Sequence, residues 1–174
     1  MSPPSPPDRT SELTHLDADG NPRMVDVGRK ADTDRLARAE GWVRLSPDAL
    51  SAITGGTVKK GDVFQIARLA GIQGAKRTAD LIPLCHPLPI DGVEVSVEAR
   101  DGAVHIEATV RTRWRTGVEM EALTAVNAAA LTVYDMVKAI DRGMRIEGVR
   151  LLEKRGGRSG TWLADGQTTP KNTT

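Results

Sequence analysis

With 174 residues and a formal charge of +1, the chain is long enough for one domain with a sizeable core and too nearly neutral for generic binding of nucleic acid or anionic membrane. Aromatic residues make up only 3%, so the core must be aliphatic, and the single cysteine, Cys85, excludes an intramolecular disulfide and suits a reducing, cytoplasmic setting. Three histidines at positions 15, 86 and 105 give no zinc-ligand spacing, and no apolar run is long enough for a membrane span.

The start, MSPPSPPDRT, has no hydrophobic signal region, and residues 1–12 read as a disordered Pro- and Ser-rich leader. Asp19-Gly20-Asn21-Pro22 forms a turn, after which Met24 to Val27 is expected to pair as a short extended piece. A short strand is expected at Trp42 to Leu45. Ser46 then caps a helix with Pro47 at its first position, running to Thr54 and ended by Gly55-Gly56. Asp62 caps a second helix through Val63, Ile66, Ala67, Ala70 and Ile72, interrupted at Gly74, with a shorter helix through Ala79 stopped by Pro83.

Val93, Val95 and Val97 alternate with polar residues, Asp101-Gly102 turns the chain, and Val104, Ile106, Ala108 and Val110 alternate again, which is a hairpin with one core face. His105 falls on the opposite, wet face and reads as an exposed strand histidine. From Thr116 to Lys138 runs a long helix with no charged side chain between Glu121 and Asp135, apolar on most of its circumference and therefore buried. Arg145 to Leu152 gives a last strand, and residues 163–174 a flexible tail. The order β, helices, β, β, long helix, β is that of a split βαβ, ferredoxin-like α+β sandwich, with helices on one face of an antiparallel sheet.

The ends of the long helix carry its chemistry. Glu119 and Glu121 suit the positive end of the helix dipole, whether or not they do more, and Asp135 and Lys138 share a face at i,i+3 spacing, which makes an acid/base pair or a surface ion pair. Fourteen positions separate Glu121 from Asp135, a rise of roughly 21 Å, too far for both to grip one small molecule. If both ends act, they serve separate subsites or a second copy brings its opposite end alongside, and a site shared between subunits is expected. Basic residues at element ends, Lys59, Lys60, Lys76, Arg77, Lys138, Lys154, Arg155 and Arg158, are what polyphosphate binding needs, although GGTVKKGD and KRGGRSG lack P-loop spacing. In LIPLCHPL, Cys85 reads as a small apolar residue and a poor nucleophile–base partner for His86, since neighbours in extended chain point to opposite sides. His86 can donate to phosphate or shuttle protons.

KGDVF at Lys60–Phe64, AGIQGAKRTADLIPLCHPL at Ala70–Leu88, TGVEMEALTAV at Thr116–Val126, LTVYDMVKA at Leu131–Ala139 and VRLLEKRGGRSG at Val149–Gly160, with the opening RMVDVGRKADTDRLARAEG, together resemble the MoaC family of cyclic pyranopterin monophosphate synthases in molybdenum cofactor biosynthesis. The resemblance covers about Leu13 to Trp162, a single synthase domain at 13–162. It implies a lyase that takes 3′,8-cyclo-7,8-dihydro-GTP from an upstream radical GTP cyclase and forms the cyclic phosphate with release of diphosphate. It also implies a ferredoxin-like fold and a homo-hexamer, a trimer of dimers with sites at the dimer interface.

The family's functional positions fall on Lys60, His86, Glu119, Glu121, Asp135, Lys138 and Lys154, with Arg77, Met120 and Cys85 in the same motifs. Chemistry then suggests Asp135 and Lys138 as the acid/base pair, Lys60, Lys154 and His86 at the phosphates with Lys60 a further proton donor, and Glu119 and Glu121 at the amino groups of the guanine-derived edge. No cofactor or protein metal cage is implied; a divalent metal such as Mg would come with the substrate phosphates. Trp114 and the LPIDG stretch depart from the family pattern without touching a motif residue. A ferredoxin-like RNA-binding module is the rival from another class, but this hairpin lacks the stacking aromatics. A nucleotide-binding regulatory domain is another, for which the Glu119, Glu121, Asp135 and Lys138 set would have no purpose.

Overall fold

The computed structural model describes residues 19–167. The leader at 1–12 and the tail beyond 167 lie outside the described residues. In chain order the elements are β1 (Thr33–Arg44), α1 (Pro47–Thr54), α2 (Val63–Lys76), α3 (Thr78–Leu81), β2 (Gly92–Arg100), β3 (Ala103–Trp114), α4 (Glu119–Val137), β4 (Arg145–Arg155) and β5 (Trp162–Leu163). The strands form one antiparallel sheet in the order β2-β3-β1-β4-β5, so the first four strands have the split βαβ arrangement of a ferredoxin-like α+β sandwich. Among the described residues no helix is long and apolar enough to cross a membrane.

Local signals produce the elements. The Ser46 hydroxyl accepts from the Ala49 amide at 3.3 Å to cap α1, and the Asp62 carboxylate accepts from Gln65 at 3.1 Å to cap α2. The β2–β3 hairpin turns at Asp101 and Gly102, both with positive φ. In α4, Ala122, Ala125, Val126, Ala129, Ala130, Val133 and Val137 are buried, facing β1, β3 and β4 on one side and α2 on the other.

Four expectations are corrected. The strand expected at Trp42–Leu45 begins nine residues earlier, at Thr33. Leu, Ala, Arg and Glu give that stretch little strand propensity, but its place between β3 and β4 satisfies both backbone edges, and Ala37, Ala39, Gly41 and Val43 form the buried face. Gly74 does not interrupt α2. It is a contact point, where a Cβ would lie 2.6 Å from Ala128 Cβ, so the glycine lets α2 and α4 approach closely. Met24–Val27 lies outside any strand.

His105 is buried, with 4% of its surface exposed, rather than wet. Its neighbours across the strands cover it: the Trp42 ring lies 4.3 Å away between centroids, and Nε2 is 3.1 Å from Glu40 Oε2. The sheet face away from the helices is thus a packed ionic layer. Arg150 Nη2 reaches Glu40 Oε1 at 2.8 Å, and Arg38 reaches Glu107 at 3.2 Å and Glu153 at 3.6 Å. Arg38 also donates to Gln167 Oε1 at 3.3 Å, and the Ala164 amide donates to the Leu152 carbonyl at 2.9 Å. Leu163 thus pairs at the sheet edge, and Gln167 reaches over the sheet to β1.

Candidate active site

Apart from Arg77, the expected site residues assemble in two places, toward opposite ends of α4. At its C-terminal end, the Asp135 carboxylate receives Lys138 Nζ at 2.7 Å and Lys60 Nζ at 2.8 Å. Lys60 Nζ also donates to the Asp135 backbone carbonyl at 2.8 Å. Lys60 comes from the turn between α1 and α2, held by the Gly61 amide donating to the Val58 carbonyl at 3.0 Å. Two cations at a helix C-terminus suit its partial negative charge. The hydrogen bonds from Lys138 and then Lys60 hold the Asp135 carboxyl down to about 2, and Asp135 in turn raises Lys138 above its ordinary value. In this state Asp135 is an acceptor and Lys138 a proton donor.

At the N-terminal end of α4 lies a cavity of about 630 Å³, walled by Ile82, Leu84, Cys85 and His86, by Thr116, Gly117, Glu119, Met120 and Glu121, and by Val25, Val27 and Lys30. His86 Nε2 is 2.7 Å from the Val25 carbonyl, which can only accept, so Nε2 carries the hydrogen and Nδ1 is left to accept or, once protonated, to donate. Cys85 and His86 line the same cavity, yet their side chains have different partners: Cys85 Sγ donates to Glu121 Oε1 at 3.6 Å. Burial and the Glu121 carboxyl push the Cys85 thiol up to about 11, so it is no nucleophile at neutral pH. Burial also raises the Glu121 carboxyl, with Glu119 adding to the rise against the bonds from its own amide and Cys85. Glu119 folds back over Gly117, where a Cβ would stand 1.9 Å from its Oε2. Only glycine allows that pose.

A second cavity of about 660 Å³ is lined by Arg29, Lys30, Arg35, Arg115, Arg158 and Ser159, among others. It shares Lys30, Thr116 and Gly117 with the first. Arg35 donates to the Trp114 and Arg115 carbonyls, each at 3.3 Å, so its charge is positioned by backbone alone. Gly157, at φ +73°, allows this: a Cβ there would stand 1.8 Å from Arg35 Nη1. Lys154 bonds the Ser159 hydroxyl and, at 3.4 Å, the Gly156 carbonyl, beside this cavity. Arg77 pairs with Asp80 at 3.2 Å and lines neither cavity. Among the described residues no group of three or more His, Cys, Asp or Glu could hold a metal ion.

Carboxyl groups at one end and guanidinium and ammonium groups at the other suit a ligand with an amino-bearing ring and a polyphosphate. The sequence reading missed Lys30 and Arg35, although Arg29-Lys30 is a basic pair inside the quoted opening motif. The MoaC family profile matches residues 24–157, which takes in both cavities apart from Arg158 and Ser159, and the Asp135 cluster. The chain belongs to the MoaC family.

Three similar proteins carry one name. A protein of Thermomicrobium roseum named cyclic pyranopterin monophosphate synthase is 60% identical over 154 residues, 87% of this chain and 93% of that relative. Relatives of the same name from a Methylobacterium species and Dinoroseobacter shibae are 62% and 59% identical over 157 residues, covering 89% of this chain and 98% and 99% of theirs. Membership of the MoaC family thus rests on nearly the whole described chain, not on one motif.

Proposed function

We propose that the chain is a cyclic pyranopterin monophosphate synthase, a lyase that converts (8S)-3′,8-cyclo-7,8-dihydroguanosine 5′-triphosphate to cyclic pyranopterin monophosphate and diphosphate in molybdenum cofactor biosynthesis. Three relatives at 59–62% identity bear that name. The observation that carries the reading onto this chain is the pair of joined cavities, carboxyl-lined and cationic, meeting at Lys30, Thr116 and Gly117. A guanine-derived ring with a triphosphate has that polarity.

In this reading Glu119, Glu121 and Met120 hold the ring, with Cys85 and His86 across the cavity from them. Lys154 joins Lys30, Arg35 and Arg158 at the phosphates. Closing the cyclic phosphate joins a ribose hydroxyl oxygen to the α-phosphorus and breaks the bond from that phosphorus to the oxygen bridging the β-phosphate. The leaving diphosphate takes away negative charge that fixed cations stabilise, and the hydroxyl proton passes to a basic group. Asp135, Lys138 and Lys60 supply proton acceptors and donors for this closure and for rebuilding the purine as a pterin. Arg77 stays outside both cavities in one copy and is carried only by its motif. A divalent metal such as Mg would be held by the substrate phosphates.

Asp135 lies roughly 21 Å along α4 from Glu121, so one copy does not gather the set. A second copy that sets its Lys60, Asp135 and Lys138 against the first copy's cavities completes it, as in a hexamer built as a trimer of dimers. Anaerobic incubation with the cyclo-dihydro-GTP substrate, following diphosphate and pterin by mass spectrometry, tests the assignment. Product from wild type and none from Asp135→Asn is expected. Binding without turnover by wild type would instead make the chain a regulatory nucleotide-binding protein.

A further inference from the structure

Glu121 is the least expected group in the first cavity. Its side chain is 2% exposed, and among the described residues its only side-chain partner is the Cys85 thiol on Oε1 and its buried Oε2 has none. A buried carboxylate ordinarily has a cation or several N–H donors. The titratable groups sharing the cavity are Lys30, Cys85, His86 and Glu119. Of these, Cys85 alone bonds to Glu121, through a weak donor; His86 Nε2 is committed to the Val25 carbonyl, and Glu119 is a second acid on the same helix end.

We infer that Glu121 is carried as a neutral carboxylic acid, that it binds by donating a hydrogen bond to a carbonyl on the ligand ring, and that Cys85 is its positioning residue. Glu119 beside it on the same helix end supplies carboxyl oxygens as acceptors, so the pair presents one acceptor and one donor. That pattern is complementary to a 2-amino-4-oxo-pyrimidine edge, whose amino and ring N–H groups donate and whose carbonyl accepts. The purine substrate and the pterin product share this edge, so one pair of acids holds the same ring while the neighbouring ring is opened and rebuilt. This recognition step rests on the proposed synthase reading; the protonation state does not. The direction of the Glu121 shift, upward by burial, agrees with it.

Infrared difference spectroscopy of the ligand-free protein, wild type minus Glu121→Gln at neutral pH, decides the protonation state. A carboxylic acid C=O stretch assigned to Glu121 is expected, and carboxylate bands in its place would overturn the inference. If Glu121→Gln does not fold, wild type minus Cys85→Ser serves, because the stronger hydroxyl donor shifts the same acid band; a shifted carboxylate band overturns the inference equally.

Turnover then tests recognition. Glutamine keeps an N–H donor, so kcat/KM of Glu121→Gln should fall less than roughly tenfold, against roughly a hundredfold for Glu121→Ala, each measured at a temperature where the variant is folded. Glu119→Gln, which replaces one carboxyl oxygen acceptor with an N–H donor, should fall as far as the alanine variant. Equal losses for Gln and Ala at position 121 would overturn the donor role. A wild type without turnover would sink the synthase reading and leave the infrared result standing.

Discussion

At Asp135 two ammonium groups face one exposed carboxylate, and the direction of each shift dictates a pH response. Asp135 is held at about 2 against an ordinary 3.8, so its ion pairs are complete above about pH 4 and are lost as pH falls toward 2. Lys138 is raised above 10.5, so its contribution is present below that value and lost as pH rises through the folded one. Asp135→Asn removes the cause of the Lys138 shift. In that variant the alkaline limb of the Lys138 titration, followed by NMR of its side chain, should move to lower pH; an unmoved limb would separate the two residues.

Glu121 has the opposite sign. Its folded value lies above 4.5, so the folded state holds the extra proton, and stability declines as pH rises from 4.5 through the raised value. Urea midpoints across that range should show a steeper fall for wild type than for Glu121→Gln. Parallel curves would mean that Glu121 is ionised in the folded protein.

At the α2–α4 crossing small residues stand on both sides. Gly74 meets Ala128 at a distance no Cβ tolerates. Gly74→Leu should destabilise by about 1–3 kcal/mol through forced separation of the helices, measured by denaturant unfolding. At the start of β1, Gly157 governs where Arg35 lies. Gly157→Ala should displace that guanidinium and weaken diphosphate binding by roughly tenfold, read by calorimetry on the folded variant, and lower its melting temperature, because alanine is strained at a positive φ. Unchanged affinity would remove Arg35 from the anion site.

For the whole molecule, the distance along α4 is the governing quantity. A site completed across copies allows two inactive variants to rescue one another. Mixing Glu119→Ala with Lys138→Ala after dissociation and reassembly should restore roughly a quarter of wild-type turnover, because random pairing gives mixed dimers with one intact site and one doubly defective site. No recovery in the mixture, with exchange of copies confirmed by mass spectrometry, would place each whole site within one chain.

What the sequence determined by itself was local or periodic. The Ser46 and Asp62 caps, the Asp101-Gly102 turn, the alternating hairpin valines and the uncharged run of α4 are short-range signals, and together they were enough for the split βαβ order. The motif residues and the separation of the two helix ends were legible for the same reason, since helical rise follows from counting. Only the tertiary structure decided the rest. Thr33–Gly41 became strand because two neighbours offered it backbone partners, and Gly74 stayed helical because α4 needed the space. His105 was buried by Trp42 and Glu40 from another strand, and Lys30 and Arg35 came to share a cavity with Arg158, far along the chain. Each depends on contacts between residues distant in sequence, and the neutral state of Glu121 depends most on them, because burial is what disfavours its charge.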